Sequence, residues 1–111
     1  MNIKTDKAIL DGHKVVPVAD LIEWAKKFET MNRRVAETFV GRARYVLRGG
    51  PKPVRVSTVF LGLDHGLGGK PLWFETMVFG GKLDQEQDRY ETWDEAVAGH
   101  KAMVKKVRRT K

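Results

Sequence analysis

Val54 to Gly81 reads VRVSTVFLGLDHGLGGKPLWFETMVFGG, and the fold turns on how this stretch is built. Val54–Leu63 is rich in valine, threonine and phenylalanine, which suit a pleated, half-buried surface. Leu72–Phe79 has the same character. Between them lies Asp64–Pro71, DHGLGGKP, where glycines supply turn geometry. The expectation is an antiparallel hairpin with this loop at its tip. Both runs carry large residues at odd and even positions: Val56 and Phe60 beside Val59 and Leu61, Phe74 and Val78 beside Trp73 and Phe79. A hairpin lying on a surface would alternate cleanly, so this pair is expected at the centre of a sheet, covered on both sides for much of its length.

Working toward the N-terminus, Ala43–Leu47 is a weak strand candidate, and Gly49-Gly50-Pro51 breaks any regular element. Val35–Val40 alternates weakly and reads either as a strand or as the continuation of a preceding helix. That helix opens at Asp20, whose side chain can cap the first free N–H groups, with Glu23 in capping-box position. Leu21, Trp24, Ala25, Phe28 and Met31 recur at helical spacing, and the helix is expected to end near Asn32. Ahead of it, Ala8–Val18 reads as a short hairpin turning at Asp11-Gly12. Toward the C-terminus, Gly80-Gly81 ends the second long strand and Lys82–Arg89 reads as a polar connector. Thr92 and Glu95 then form a capping box for a final helix with an apolar stripe of Trp93, Ala96, Val97, His100, Val104 and Val107. Acids at its start and bases at its end suit the helix dipole. Arg108–Lys111 is expected to fray. The fold class is α+β: residues 1–111 as one small domain, an antiparallel sheet of about 4–5 strands with two amphipathic helices. If both sheet faces are apolar, a homodimer partner or a target protein is needed to cover the second.

The chain has 111 residues and no cysteine, which excludes disulfides, thiolate metal sites and cysteine nucleophiles. No apolar run approaches the roughly 20 residues that span a bilayer, and the N-terminus lacks the apolar stretch of a secretory signal. A cytoplasmic location and no membrane partner are expected. The net charge of +7 favours polyanions. It is patterned: Arg33–Arg55 contains one acid, Glu37, and Lys101–Lys111 contains none, whereas Asp84–Glu95 carries six acids and one arginine.

Within the loop, three glycines and Lys70 could cradle an anion, but the phosphate-loop spacing is missing and Pro71 stands where a magnesium-binding hydroxyl belongs. A flexible hairpin connection is the plainer reading. Asp64 and His65 are candidates for a base and its orienter, with Glu75 or Lys70 assisting. Adjacent strand residues point to opposite faces, so the two converge only where the backbone bends. Nothing ties His13, His65 and His100 together at metal-ligand spacing, and no metal or cofactor is expected. His100 fits better as a hydrogen-bonded residue at the core edge. Glu75 interrupts an apolar strand and calls for a cross-strand base such as Arg55. The segment Arg42, Arg44, Tyr45, Arg48, Lys52 and Arg55 interleaves a ring with phosphate-binding side chains, as nucleic-acid contact requires, without any established nucleic-acid-binding signature.

The segments VSTVFLGLDHGLGGKPLWFETMVFGG, RYETWDEAVAGHKAMV and DGHKVVPVADLIEWAKKFE resemble those of a family of small proteins of tailed bacteriophages and prophages. The resemblance implies a phage gene product acting inside a bacterial cell. It implies no activity and no site residue. Three functional expectations follow. The leading one is a non-enzymatic accessory protein that binds a host or phage macromolecule through the sheet face and the loop residues Asp64, His65, Leu67, Lys70 and Glu75, with Leu67 as an apolar tip. The second is nucleic-acid binding through Arg42–Arg55. The third is a small hydrolase or nucleotide-binding enzyme centred on Asp64 and His65.

Overall fold

The computed structural model of the protein describes residues 5–41, 49 and 52–110. Among these the strands are β1 (Ala8–Asp11), β2 (Lys14–Pro17), β3 (Arg34–Val40), β4 (Val54–Phe60), β5 (Phe74–Phe79) and β6 (Gln87–Tyr90). The helices are α1 (Leu21–Thr30), between β2 and β3, and α2 (Trp93–Arg109), which closes the chain. β1 and β2 form a separate hairpin; the other four strands make an antiparallel sheet in the order β3-β4-β5-β6. The fold is α+β, and the two long segments pair side by side at its centre as their composition dictates. The strand candidate Ala43–Leu47 lies outside the described residues.

The β4–β5 register sets Val56 against Val78, Thr58 against Thr76 and Phe60 against Phe74. These six side chains are the largest fully buried ones, and all lie on the face that α2 covers. They belong to two apolar clusters. Phe60 and Phe74 gather Ala8, Trp73, Tyr90 and Ala96, while Val56 and Val78 gather Val40, Met103, Val104 and Val107. Removing a large side chain of this kind from water contributes roughly 1.5–3 kcal/mol. α2 begins at Thr92, whose hydroxyl accepts from the Glu95 N–H at 3.1 Å, and runs two residues past Val107 because Val107 is itself buried.

Four expectations need correction. The stretch Lys82–Arg89 is not all connector: Gln87–Tyr90 is the edge strand β6, held by Tyr90 packing inward and by Arg89 bonding to Glu75. Its charges escaped notice because an edge strand can carry them into solvent. α1 is narrower than its stripe suggested: Leu21 is exposed, and the helix holds on through Trp24, whose indole N–H donates to the Ala8 carbonyl, and Phe28, which stacks on Trp24. It stops at Thr30, so Val35–Val40 belongs to strand β3. The first turn falls on Gly12-His13, with Gly12 at φ +61° supplying the left-handed position. The central strand pair is covered on one face only, by α2; among the described residues the opposite face stays open.

Gly99, on α2, lies directly against Tyr90: a β-carbon there would clash with the hydroxyl-bearing edge of the Tyr90 ring. Alanine is about 1 kcal/mol better than glycine in a helix interior, yet overpacking costs roughly 1–3 kcal/mol. Gly99→Ala is therefore expected to lower the urea midpoint, and a raised midpoint would refute the close packing of α2 on β6.

Candidate binding surface

Residues 55, 57 and 59 of β4, with 75, 77 and 79 of β5, alternate away from α2. The register arranges them in rows across the sheet. Phe39, Arg55 and Phe79 form one row on β3, β4 and β5. Glu37, Ser57, Met77 and Gln87 form the next, then Arg34, Val59, Glu75 and Arg89. Phe39 is 57% exposed and Phe79 41%, although both stand on strands of the main sheet. The Arg55 guanidinium lies 4.9 Å from the centre of the Phe79 ring and its Nε donates to Glu37 at 2.9 Å. Glu37 also meets Arg34 at 3.4 Å. Glu75 accepts from Arg89 Nε at 2.9 Å. The open face is thus a lattice of ion pairs with two exposed rings set in it.

Glu75 has the cross-strand base it called for, but that base is Arg89 on β6 rather than Arg55. Arg55 is engaged with Glu37. The pairing was unreadable without β6.

The loop is ordered by Asp64. Its carboxylate accepts from the Gly66 N–H at 2.7 Å and from the Leu72 N–H at 2.9 Å, which closes the loop across its base. The His65 N–H donates to the Leu72 carbonyl at 3.1 Å, and its half-buried ring makes no hydrogen bond to Asp64. Asp64, His65 and Glu75 therefore do not come together as a base, orienter and partner. Among the described residues no group of three histidine, aspartate or glutamate side chains would hold a metal ion, and no helix is long and apolar enough to cross a membrane. Leu67 stands at the loop tip with φ 51°, 98% exposed, and Lys70 is exposed beside it.

Leu67 and the Phe39–Phe79 row lie at opposite ends of the sheet. The loop follows the Phe60 end of β4, where Lys7 bridges to Leu63; the rings flank Arg55 near the strand's start. Five residues of strand span roughly 17 Å, so tip and rings do not form one continuous patch. Of the basic segment, Lys52 is exposed just ahead of β4 and Arg55 sits in the row of rings. Arg42, Arg44, Tyr45 and Arg48 lie outside the described residues.

Two features join side chains that no local pattern links. His13 stacks on Trp93 at 3.9 Å with the planes 7° apart, and a shallow cleft of about 380 Å³ opens beside them, lined also by Lys14, Trp73 and Glu91. The turn and the helix start are too far apart in sequence for any local pattern to join them. The second lies under α2, between the two apolar clusters. His100, 5% exposed, bonds through Nε2 to Thr38 Oγ1 at 2.8 Å and through Nδ1 to Thr58 Oγ1 at 2.7 Å, and Thr58 in turn bonds to Thr76 at 2.5 Å. A neutral imidazole has one donor and one acceptor, which this chain of hydroxyls satisfies. Here the expectation of a hydrogen-bonded His100 is met; its two partners come from different strands, and Thr76 extends the chain to a third. Neither a family model, nor a curated protein, nor a solved structure matches the chain.

Burial holds the His100 imidazole below its usual pKa of 6.5. The unfolded chain takes up that proton as pH falls through about 6.5, while the folded chain resists until lower pH. Stability is then full above pH 6.5 and is lost as pH drops from there toward the depressed folded value. Urea melts across that window should show a midpoint falling with acid, and His100→Asn should flatten this part of the profile. Thr58→Val, which strands the imidazole nitrogen, is expected to cost about 1–3 kcal/mol.

Proposed function

We propose that this chain is a non-enzymatic accessory protein that binds a macromolecule through the uncovered face of its four-stranded sheet. One observation carries the reading: Phe39 and Phe79 stand exposed in register on either side of Arg55, on the face opposite α2. Large rings held out on a rigid sheet are favourable anchors for a partner, since they gain contact area with little loss of side-chain freedom. The ion pairs around them hold the surface in shape before any partner arrives. The same reading takes the phage-like segments as support for action in the cytoplasm of a bacterial host. Leu67, beyond the other end of the sheet, is left as a separate apolar point rather than part of this surface.

A photo-crosslinking phenylalanine analogue tests the surface directly. It replaces Phe39 or Phe79 in the full chain, and, as a control, Ala98 on the exposed side of α2. Irradiation in bacterial lysate should give discrete adducts from the two sheet positions and none from Ala98. Absence of adducts from both sheet positions, or equal yield from Ala98, would overturn the proposal. Where a partner is captured, Phe39→Ala and Phe79→Ala should each weaken it by about 2 kcal/mol, the cost typical of an anchoring ring.

A further inference from the structure

We infer that the macromolecule taken by this face is single-stranded nucleic acid, with bases stacking on Phe39 and Phe79 and phosphates held by Arg55 and the basic end of α2. The inference rests on the sheet face being the contact surface.

The first support is the pattern of the face itself. Neighbouring strands lie about 4.8 Å apart, so the two rings stand roughly 10 Å from each other with the Arg55 guanidinium between them. Unpaired bases stack on aromatic rings and on arginine planes alike. A protein partner favours something different: a contiguous core depleted of charge. Here the apolar groups are interrupted in every row, by Arg55 in the first, by Glu37 in the second and by Arg34 and Glu75 in the third.

The second support is charge. The two carboxylates of the face are already paired, Glu37 with Arg55 and Arg34, Glu75 with Arg89. Neither confronts an incoming phosphate as a bare charge.

The third support exists only in the folded chain. Val107 packs into one cluster with Val40 and Val56, and Val54 packs against that cluster. The last turn of α2, with Arg108 and Arg109 exposed, therefore lies at the end of the sheet that carries Phe39 and Phe79. Exposed Lys52 precedes β4 there, and exposed Lys82 follows β5. The acids of that end are engaged: Glu86 with Lys106, and Asp84 as acceptor of the Gly80 N–H at 2.7 Å. Arg108 and Arg109, from the α2 side of the sheet, and Lys52, Arg55 and Lys82, distant from them in sequence, are thus gathered at the end of the sheet that carries the exposed rings, in a chain of net charge +7.

The test is fluorescence anisotropy of the full chain with a labelled oligothymidine of about 12 nucleotides, a length within the usual range of single-strand sites, and with a matched duplex. Tighter binding of the single strand is expected. Each phosphate contact on a single strand contributes about −0.7 to the slope of log affinity against log salt, so three or four contacts give about −2 to −3. Phe39→Ala and Phe79→Ala should each weaken binding roughly 5- to 150-fold and leave the slope unchanged. Phe79→Tyr, which keeps the ring, should retain binding. Arg108→Gln with Arg109→Gln should make the slope shallower by about 1.4. No binding at low salt, or binding indifferent to both rings, would overturn the inference. A protein adduct from the sheet crosslinker with no oligonucleotide binding would sink the nucleic-acid assignment and leave the surface standing. Failure of both experiments would remove both.

Discussion

The pairing of β4 with β5 in a single register is the constraint on which everything else in this molecule depends. It sets Val56, Thr58 and Phe60 against Val78, Thr76 and Phe74 under α2. By the same act it sends Arg55, Ser57 and Val59, with Glu75, Met77 and Phe79, to the other face. A strand has a side-chain period of two, so a slip of one residue would exchange the two faces of the strand that slips. A slip of β4 would drive Arg55 into the core and put Phe60 in water; a slip of β5 would do the same with Glu75 and Phe74. In either case the desolvation of a charge and the exposure of a ring oppose it together.

A polar layer divides the core and reinforces that register. Thr58, Thr76 and His100, with Thr38, form a hydrogen-bonded chain between the Phe60–Phe74 cluster and the Val56–Val78 cluster. An apolar filling of the same volume would bury comparably well, so the layer adds little net stability while its bonds are made. Its effect is on alternatives. Any shift of α2 along the sheet moves His100 away from Thr38 and Thr58 and leaves buried donors and acceptors unpaired, at about 1–3 kcal/mol each. One helix position and one strand register satisfy it.

The open face and the loop owe their shapes to different forces. Ion pairs between neighbouring strands organise the face, and each is weak because it is partly in water. Their worth is geometric: Glu37 holds Arg55, and Arg55 lies over Phe79, so the row is arranged before anything binds. The loop is closed by backbone N–H groups converging on the Asp64 carboxylate, which removes that side chain from chemistry and fixes Leu67 at the tip. Asp64 read as a candidate reactive group because a carboxylate beside a histidine has the same letters whichever task it performs.

What the amino-acid order determined by itself was local. Composition marked β4 and β5, Gly12 marked the first turn, and Asp20 and Thr92 started the two helices, because strand preference, positive φ and N-capping are each settled within a few residues. His100 was legible as a core-edge histidine from its place on the α2 stripe. Tertiary structure alone decided the rest. It made an edge strand of Gln87–Tyr90, whose charges argued against it until β5 offered Arg89 a partner. It left one sheet face open among the described residues, gave Arg55 to Glu37 and His13 to Trp93, and brought the bases of α2 to the end of the sheet that carries Phe39 and Phe79. None of these could be read along the chain, because each depends on which distant side chain the close-packed core brings within a few ångströms.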